Sequence, residues 1–444
     1  MNLKLSRYII FTAAINPDDR FDMHNRIIYS TVTNISVVVK QPVFDQLTDG
    51  KFDGLDPDLV RQLLRANILV QDDRDEFSAV LAENRVFNRN LSIAFNPSAN
   101  CRAGCTCSAN RQVEKKMDDA VWQRLLDYAE QQLGSGQFTS FNMVWDGMEP
   151  SVVLPGIIHL SEKYLELSDG YDIPYKASMV TDGAGLTKEV FETLFYRCGI
   201  KNFHITWTPG FETVTHTIER ILREVPFKPR DGVIFEIRIN IDKTNQEAPF
   251  GLIDRFADHC FQNRVTFRFD PAINVAATGS DDIAPGDTGG FDTKEFAELE
   301  FEFLLYAIQK GFIQSILPAR TFVPCFAVDE NSVVADQYGN LFSCHALPYM
   351  NHPDSEPNRI GSPLSAGNDL RANTRFRNWF NQLENDKGIC YGCSLFPSCG
   401  GGCRLKDGEE ESACPPFKHN IEDRLILNYI HQKSGFNNLM ASPF

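Results

Sequence analysis

Long apolar runs, excess positive charge and internal repeats are all missing from this sequence of 444 residues. Since no stretch of about 18 apolar residues occurs, the sequence predicts no membrane-spanning helix. The net charge of −16 argues against a general nucleic-acid binder, whose affinity depends on cationic contacts to phosphates. The lack of repeats and low-complexity tracts argues against a repeat array. The apolar fraction of 43% is that of an ordinary globular chain, which has room for two or three domains.

No secretory signal is expected either, because residues 1–7 contain no long apolar run. The chain nevertheless contains 12 cysteines. In a reducing compartment cysteines more often bind metal than form disulfides, and we therefore expect a cytoplasmic protein with metal-bound thiols. Cys198 and Cys260 stand apart from the other cysteines and are expected to pack as small apolar side chains.

Seven cysteines in the last 120 residues follow a spacing that chance would rarely produce: Cys325, Cys344, Cys390, Cys393, Cys399, Cys403 and Cys414. A short C-x2-C loop brings two thiolates within reach of one ion or cluster. The glycines at 400–402 allow a tight backbone turn beside such a group. A zinc-bound tail would not require the two upstream cysteines, and a disulfide-linked tail needs an oxidising compartment. The pattern favours iron–sulfur clusters over both alternatives.

Alternating strand and helix patterns predict an α/β protein built around an open, partial (β/α)6 barrel. The six strand patterns lie at 91–95, 141–145, 175–181, 203–207, 233–241 and 265–269. Helical patterns, with apolar residues at i, i+3 and i+4, lie at 113–133, 157–167, 188–196, 212–224, 253–262 and 294–310. This alternation implies parallel strands with right-handed crossovers, and the chemistry of such barrels gathers at the C-terminal ends of the strands.

A small α+β module is predicted before the barrel, in residues 1–90. Its strand patterns lie at 8–11, 27–31 and 34–39, and its helical patterns at 42–47 and 57–66, with an apolar stretch at 68–70. The chain would thus divide into this module, the barrel at 91–318 and a C-terminal cysteine-rich cluster domain at 319–444.

The tail cysteines, together with Gly339 between the first two, match the spacing of a known domain. The pattern resembles the SPASM domain, which follows the barrel in many radical S-adenosylmethionine (SAM) enzymes that modify peptides. The resemblance implies two auxiliary [4Fe–4S] clusters. Cys325, Cys344 and Cys403 would hold the first, which lacks one thiolate. The other four, Cys390, Cys393, Cys399 and Cys414, would hold the second.

A second cysteine group, Cys101-x3-Cys105-x-Cys107, follows the first predicted barrel strand. Three thiolates in one loop could bind three irons of a [4Fe–4S] cluster. The position resembles the C-x3-C-x2-C loop of radical SAM enzymes, although one residue is missing here. The resemblance implies that the fourth iron binds SAM, whose reductive cleavage gives a 5′-deoxyadenosyl radical.

Four further residues are predicted to contact SAM on the basis of this resemblance. Residues 146–150, Asp-Gly-Met-Glu-Pro, resemble the family's Gly-Gly-Glu-Pro turn, with Gly147 and Glu149 in its place and Met148 where a glycine is usual. Thr206 matches a serine whose hydroxyl meets SAM, and Arg220 matches an arginine that pairs with its carboxylate. Taken alone, these residues are more often a turn glycine, a strand threonine and a surface arginine.

His345, directly after Cys344, is the candidate catalytic residue. Some relatives carry an Asp there that acts as a base, and histidine titrates near neutrality. The alternative is that His345 hydrogen-bonds a cluster sulfide or caps a loop.

The combined pattern predicts a cytoplasmic radical SAM peptide maturase with up to three [4Fe–4S] clusters. Hydrogen abstraction from a peptide side chain would lead to a cross-link, a thioether or an epimerised centre. Its expected partners are a precursor peptide, whose leader the N-terminal module could bind, and an electron donor such as flavodoxin or ferredoxin; no nucleic acid or membrane is expected. One alternative is a non-catalytic relative that keeps only the tail clusters and binds a peptide or a partner enzyme. Another is a multi-cluster electron carrier.

Overall fold

The computed structural model of the protein describes residues 2–13, 25–87, 89–97, 116–147, 149–210, 212–272, 290–345, 359–361, 379–385, 388–403 and 414–434. Cys101, Cys105, Cys107 and Met148 lie outside these ranges, so the predicted first cluster loop does too. No helix within the described ranges combines the length and the apolar character that a membrane crossing needs.

The N-terminal part contains two small antiparallel sheets and three helices. β1 (Leu3–Leu5) pairs with β5 (Leu69–Gln71), while β2 (Ile9–Phe11), β3 (Asn25–Ser30) and β4 (Ser36–Lys40) form a three-stranded sheet. The helices are α1 (Gln41–Thr48), α2 (Pro57–Arg65) and α3 (Glu76–Phe87). The sequence patterns predict the three-stranded sheet, α1 and α2, but neither β1 nor α3. The three residues of β1 are held by pairing with a strand far along the chain, which no local pattern reveals.

The centre of the protein is a sheet of nine strands, six of which are parallel and follow one another in sequence order. These six are β6 (Asn90–Phe95), β7 (Ser140–Trp145), β8 (Tyr175–Thr181), β9 (Ile200–Trp207), β10 (Phe235–Ile241) and β11 (Val265–Pro271). All six predicted strands are therefore present. Because these six strands are parallel, their C-terminal ends lie along one edge of the sheet, which we call the C-terminal edge.

Helices connect the parallel strands, as the periodicity predicts. They are α4 (Asp119–Leu133), α5 (Leu154–Gly170), α6 (Lys188–Glu192), α7 (Glu212–Glu224), α8 (Ala248–Asp258) and α9 (Thr293–Gln309). A π-helical turn, Thr193–Arg197, continues α6. The expected start of α4 at residue 113 is wrong, because the carboxylate of Asp118 accepts the N–H of Val121 and caps the helix six residues later. The fold is thus a mixed α/β fold with a large parallel sheet.

The two faces of the central sheet differ in polarity. On one face Phe95, Trp145 and Ile205 are fully buried against the helices. On the other face alternate residues are polar and only half-buried, such as Thr206 on β9 and Glu236 on β10. Parallel strands covered on both faces are normally continuous apolar runs. The alternation therefore marks a polar face along β9 and β10.

The tail joins the same sheet. β12 (Ser332–Ala335) pairs in parallel with β6, and β13 (Leu341–Phe342) and β14 (Arg359–Gly361) extend the sheet antiparallel. α10 (Trp379–Asn385), α11 (Phe396–Cys399) and α12 (Phe417–Ser434) follow. The N-terminal part packs on this tail, since the Thr31 hydroxyl donates to the Ser394 carbonyl at 2.6 Å. The predicted division at residues 90 and 318 stays a prediction.

The two isolated cysteines behave differently. Cys198 is fully buried in the main core, as expected. Cys260 is exposed, so the expectation that it packs inside is wrong. It follows α8 with a left-handed φ of 59°, in the turn that leads to β11. This turn lies at the surface, where a thiol contributes nothing to the core.

Candidate cluster site and polar sheet face

Of the four cysteines predicted for the second tail cluster, Cys390 and Cys393 lie before α11, Cys399 ends α11, and Cys414 lies just before α12. The Cys393 N–H donates to the Cys390 carbonyl at 3.3 Å, and the Cys399 N–H to the Leu395 carbonyl at 2.9 Å. Burial raises the pKa of the Cys399 thiol, and the nearby sulfurs of Cys414 and Cys393 raise it further. The sulfurs of Cys393 and Cys414 therefore both lie near enough to Cys399 to affect its pKa, which is compatible with a shared cluster.

The three glycines after Cys399 shape this group. Gly400, Gly401 and Gly402 have φ values of 68°, 105° and 75°, which side chains rarely allow. A Cβ on Gly401 would lie 2.6 Å from Cζ2 of Trp379. The resulting turn aims the N–H groups of Gly401 and Gly402 at the Cys399 sulfur, where they act to lower the pKa of the thiol. Such donors stabilise a thiolate or a metal-bound sulfur.

A cationic donor lies beside a second sulfur of this group. The Lys418 Nζ lies 3.5 Å from the Cys414 Sγ, in hydrogen-bonding geometry. Lys418 is in the first turn of α12, and Cys414 lies just before that helix. The donor set around Cys399 and Cys414 therefore fits a group of anionic sulfurs.

The three cysteines predicted for the first tail cluster lie nearer the sheet. Cys325 precedes a 3-10 turn, Phe326–Val328, and Cys344 packs with Phe326 against Ala94 and Val334. A cavity of about 540 Å³ opens beside Cys325, and its lining includes Ser92 of β6. Cys403 is exposed. The cluster that Cys325, Cys344 and Cys403 are predicted to share stays a prediction.

No single-ion site occurs within the described ranges, where no three His, Cys, Asp or Glu side chains converge. The cysteines of an iron–sulfur cluster each bind a different iron, so they need not converge on one point. The arrangement of Cys393, Cys399 and Cys414 is therefore compatible with an iron–sulfur cluster.

The turn predicted to contact SAM follows β7, at the C-terminal edge. Gly147 has a left-handed φ of 105°, and its N–H donates to Asp146 Oδ1 at 2.7 Å. Glu149 is only 1% exposed, and its carboxylate accepts the Thr181 hydroxyl and the Asp182 N–H, both at 2.9 Å. Burial and the charge of Asp182 raise the pKa of Glu149. Glu149 thus ties the end of β7 to the end of β8, and its contact with SAM stays a prediction.

The other two predicted SAM contacts lie on opposite sides of the sheet. Thr206 is on the polar face, paired in register with Arg238 of β10. Arg220 is exposed on α7, where its charge lowers the pKa of Glu189 on α6. The structure therefore places Thr206 on the polar face and Arg220 on the helical side.

His345 reaches the C-terminal edge from the tail. Its Nδ1 lies 2.7 Å from Asp146 Oδ2, at ion-pair distance but without hydrogen-bond angles. Its ring meets Phe326 edge-on, with centroids 4.5 Å apart. Burial acts to raise the pKa of Asp146, but His345, the Gly147 N–H and Arg238 lower it overall. Sequence reasoning missed Asp146 as a partner, because the two residues lie far apart in the chain.

A polar network on the sheet face was also missed. Glu236 accepts the Arg238 Nε–H at 2.8 Å and lies 2.8 Å from His204 Nδ1. On β11, Arg268 Nε donates to Asp270 Oδ2, also at 2.8 Å. Polar residues at alternate positions of a parallel strand, as at 236, 238 and 240 in β10, were the available signal. The network continues the polar surface that begins at Asp146.

We expect Glu236→Gln to destabilise the protein in a pH-dependent way. Burial opposes ionisation, but His204 and Arg238 lower the pKa of Glu236 from 4.5 to about 2. A depressed carboxyl pKa contributes stability that is complete above pH 4.5 and is lost as the pH falls towards 2. Urea unfolding should therefore show a cost of about 3 kcal/mol at pH 7, and a smaller cost at pH 3.5. Equal costs at both pH values, or a matching cost for Glu298→Gln on the exposed side of α9, would contradict this assignment.

The side-chain amide of Asn96, five residues before Cys101 in the sequence, is unpaired among the described residues. Asn96 follows β6 and is fully buried, and neither its Oδ1 nor its Nδ2 has a hydrogen-bond partner within the described residues. Its backbone N–H donates to the Ala335 carbonyl at 2.8 Å, which fixes its position at the C-terminal edge. Buried amides are almost always paired, so an unpaired one is consistent with a polar ligand at this edge.

Comparison with known proteins supports the fold. No protein-family model and no curated protein matches the sequence. Among solved structures, native anSMEcpe with bound AdoMet aligns at a TM-score of 0.53 and 16% identity, over 76% of this chain and 99% of the other. Native anSMEcpe with AdoMet and the Cp18Cys peptide aligns at 0.50 and 15%, over 77% and 99%. At this identity the likeness concerns the fold alone. The resemblance to radical SAM enzymes is confirmed at that level.

Proposed function

We propose that this protein is a radical SAM enzyme that modifies a side chain of a peptide. The observation that carries the proposal is the proximity of Cys393 and Cys414 to Cys399, with two glycine N–H groups aimed at the Cys399 sulfur. A disulfide-linked tail would not need such donors. The fold shared with an AdoMet-bound protein supports the same class. The peptide is proposed as substrate because one similar structure holds both AdoMet and a peptide.

The proposed architecture follows the three predicted parts of the chain. Residues 91–318 would form the partial barrel, and residues 319–444 the domain of two auxiliary clusters. Cys101, Cys105 and Cys107 would bind the third cluster. When bound, this cluster and SAM supply the radical that abstracts hydrogen from the peptide. We further propose a cytoplasmic location and an electron donor such as flavodoxin or ferredoxin.

Residues at the C-terminal edge would bind SAM and orient the peptide. Gly147 and Thr206 are the proposed SAM contacts, and Glu149 holds the ends of β7 and β8 together through Thr181 and Asp182. Arg220 is the weakest member of the predicted set, since it is exposed on α7. The unpaired Asn96 amide supports a ligand at this edge.

His345 is the proposed proton acceptor. Its place beside Asp146, at the end of β7, supports this role because strand ends form the active site of such barrels. Asp146 would fix the imidazole, and Phe326 limits its rotation from the other side. The structural alternative, a histidine that only bridges the tail to the sheet, predicts that its loss lowers stability and not turnover alone.

The N-terminal module is proposed to bind the leader of a precursor peptide. In the described part of the chain, β4 pairs with β3 alone, which leaves its other edge open to an added strand. Val38 on this strand is 40% exposed. The alternative is a packing extension, which the contact between Thr31 and Ser394 supports equally.

A second candidate function is a non-catalytic relative that keeps the tail clusters and binds a peptide or partner enzyme. The short spacing of Cys101, Cys105 and Cys107, and Met148 in place of a glycine, favour it. Iron content separates the candidates, since three [4Fe–4S] clusters contain about twelve irons and two contain about eight.

Activity is tested by incubating the anaerobically reconstituted protein with SAM and dithionite. We expect 5′-deoxyadenosine, detected by chromatography and mass spectrometry, because a radical SAM enzyme releases it when SAM is cleaved. Cys107→Ala serves as the control and should give none. A wild-type protein with about eight irons that yields no 5′-deoxyadenosine would point to the non-catalytic candidate.

A further inference from the structure

The second tail cluster site carries an unusual set of hydrogen-bond donors. Two of its cysteine sulfurs receive N–H groups, and the two sulfurs receive different kinds. The Cys399 sulfur faces the backbone N–H groups of Gly401 and Gly402. The Cys414 sulfur faces the side-chain ammonium of Lys418, at 3.5 Å. Only the second contact brings a full positive charge to the site.

The contact between Lys418 and Cys414 is partly shielded from solvent. Lys418 and Cys414 are both half-buried, so solvent screens the charge less than at the surface. The Lys418 N–H also donates to the Pro415 carbonyl at 3.0 Å, which anchors the residue in the first turn of α12. The backbone of Lys418 is thus fixed next to Cys414, and its side chain reaches the sulfur.

Hydrogen bonds and charges at cluster sulfurs alter the reduction potential of a cluster. Reduction adds an electron, and a nearby positive charge stabilises the added negative charge. The backbone donors at Cys399 act in the same direction but cannot be removed by a side-chain change. Lys418 is therefore the side chain through which this potential can be tested.

We propose that Lys418 is a tuning residue that raises the reduction potential of the cluster held by Cys390, Cys393, Cys399 and Cys414. The proposal rests on the proposed function, because it requires that this cluster forms. It goes beyond that function because it assigns control of the reduction potential to a lysine that belongs to no cysteine motif. Lys418 binds no iron and touches no substrate; it acts through Cys414.

The test is a potentiometric titration followed by electron paramagnetic resonance, on the full-length reconstituted protein. Lys418→Met removes the charge and the donor at similar length, and Lys418→Arg keeps both. Lys433→Met on the same helix is the matched control, since Lys433 lies over the Tyr429 ring, away from the cysteines. The signal of the second cluster is identified as the one missing in Cys399→Ala.

At the wild-type midpoint we expect Lys418→Met to lower the ratio of reduced to oxidised second cluster about tenfold, equivalent to about 59 mV for one electron. Lys418→Arg and Lys433→Met should stay within about twofold of the wild type. An unchanged midpoint in Lys418→Met, with normal iron content, would overturn the tuning role and leave the proposed function standing.

Two other outcomes have separate meanings. If wild-type protein forms no cluster at all, the proposed function fails before Lys418 is tested. If Lys418→Met loses about four irons, Lys418→Gln is measured next, because it keeps a neutral N–H donor. Loss of the same irons in Lys418→Gln would assign Lys418 to cluster assembly and overturn the tuning role. A normal cluster with a lowered midpoint in Lys418→Gln would support it.

Discussion

Replacing Cys399 with alanine is expected to remove about four irons per chain from the reconstituted protein, the content of one [4Fe–4S] cluster. The sulfurs of Cys393 and Cys414 both raise the pKa of Cys399, and the N–H groups of Gly401 and Gly402 are aimed at its sulfur. Without that sulfur these donors and the two remaining thiols have no common partner. The loss is measured by iron analysis and by the visible absorbance that iron–sulfur clusters give.

The matched control for this change is Cys260→Ala. Cys260 is a free cysteine that is exposed and belongs to no motif, so its loss should leave the iron content unchanged. Wild-type iron content in both variants would show that Cys399 holds no cluster, and the tail would then need another explanation. Equal losses in both would point to general damage from handling. Only a loss confined to Cys399→Ala supports the assigned second cluster.

The second large effect is expected for Trp145→Ala, which should destabilise the protein by about 3–5 kcal/mol. Trp145 ends β7 and is fully buried, with its ring centroid 5.0 Å from that of Phe95 and 6.0 Å from that of Trp122. Its removal leaves a cavity where the core meets the C-terminal edge. Because Asp146 and Gly147 come next in the chain, the turn they form should lose its support.

Trp145→Phe distinguishes packing from a polar role of the indole. The Trp145 Nε1 has no hydrogen-bond partner among the described residues, so phenylalanine removes an unsatisfied donor along with some volume. We expect a cost of about 1 kcal/mol or less, measured by urea unfolding on proteins of equal iron content. If Trp145→Phe is as unstable as Trp145→Ala, the indole N–H contributes a hydrogen bond, and packing alone does not explain the stability.

Much of the secondary structure follows from local patterns in the sequence. The strand 175–181 and the helix 212–224 agree with β8 and α7 to the residue. Errors arise where a capping side chain within the predicted stretch sets the boundary, as Asp118 does for α4. The short strand β1 escapes prediction because its partner, β5, lies far along the chain.

The candidate site divides in the same way. The spacing of Cys390, Cys393 and Cys399 is readable without a structure, and so is the glycine turn after them. Lys418 and Cys414 are only four residues apart in the sequence, yet their contact depends on how α12 begins. The ion pair of His345 with Asp146 joins residues almost two hundred positions apart, and no local pattern could have indicated it.

The amino-acid sequence by itself determined the number and type of the central elements and the cysteine spacing, because both depend on neighbours a few residues apart. Only the tertiary structure decided that β12 joins β6 in the same sheet, and that Arg220 lies on the helical side while Arg238 lies on the polar face. Which side chains meet across strands is set by register and by packing between distant segments, and these long-range terms leave no periodic trace in the chain.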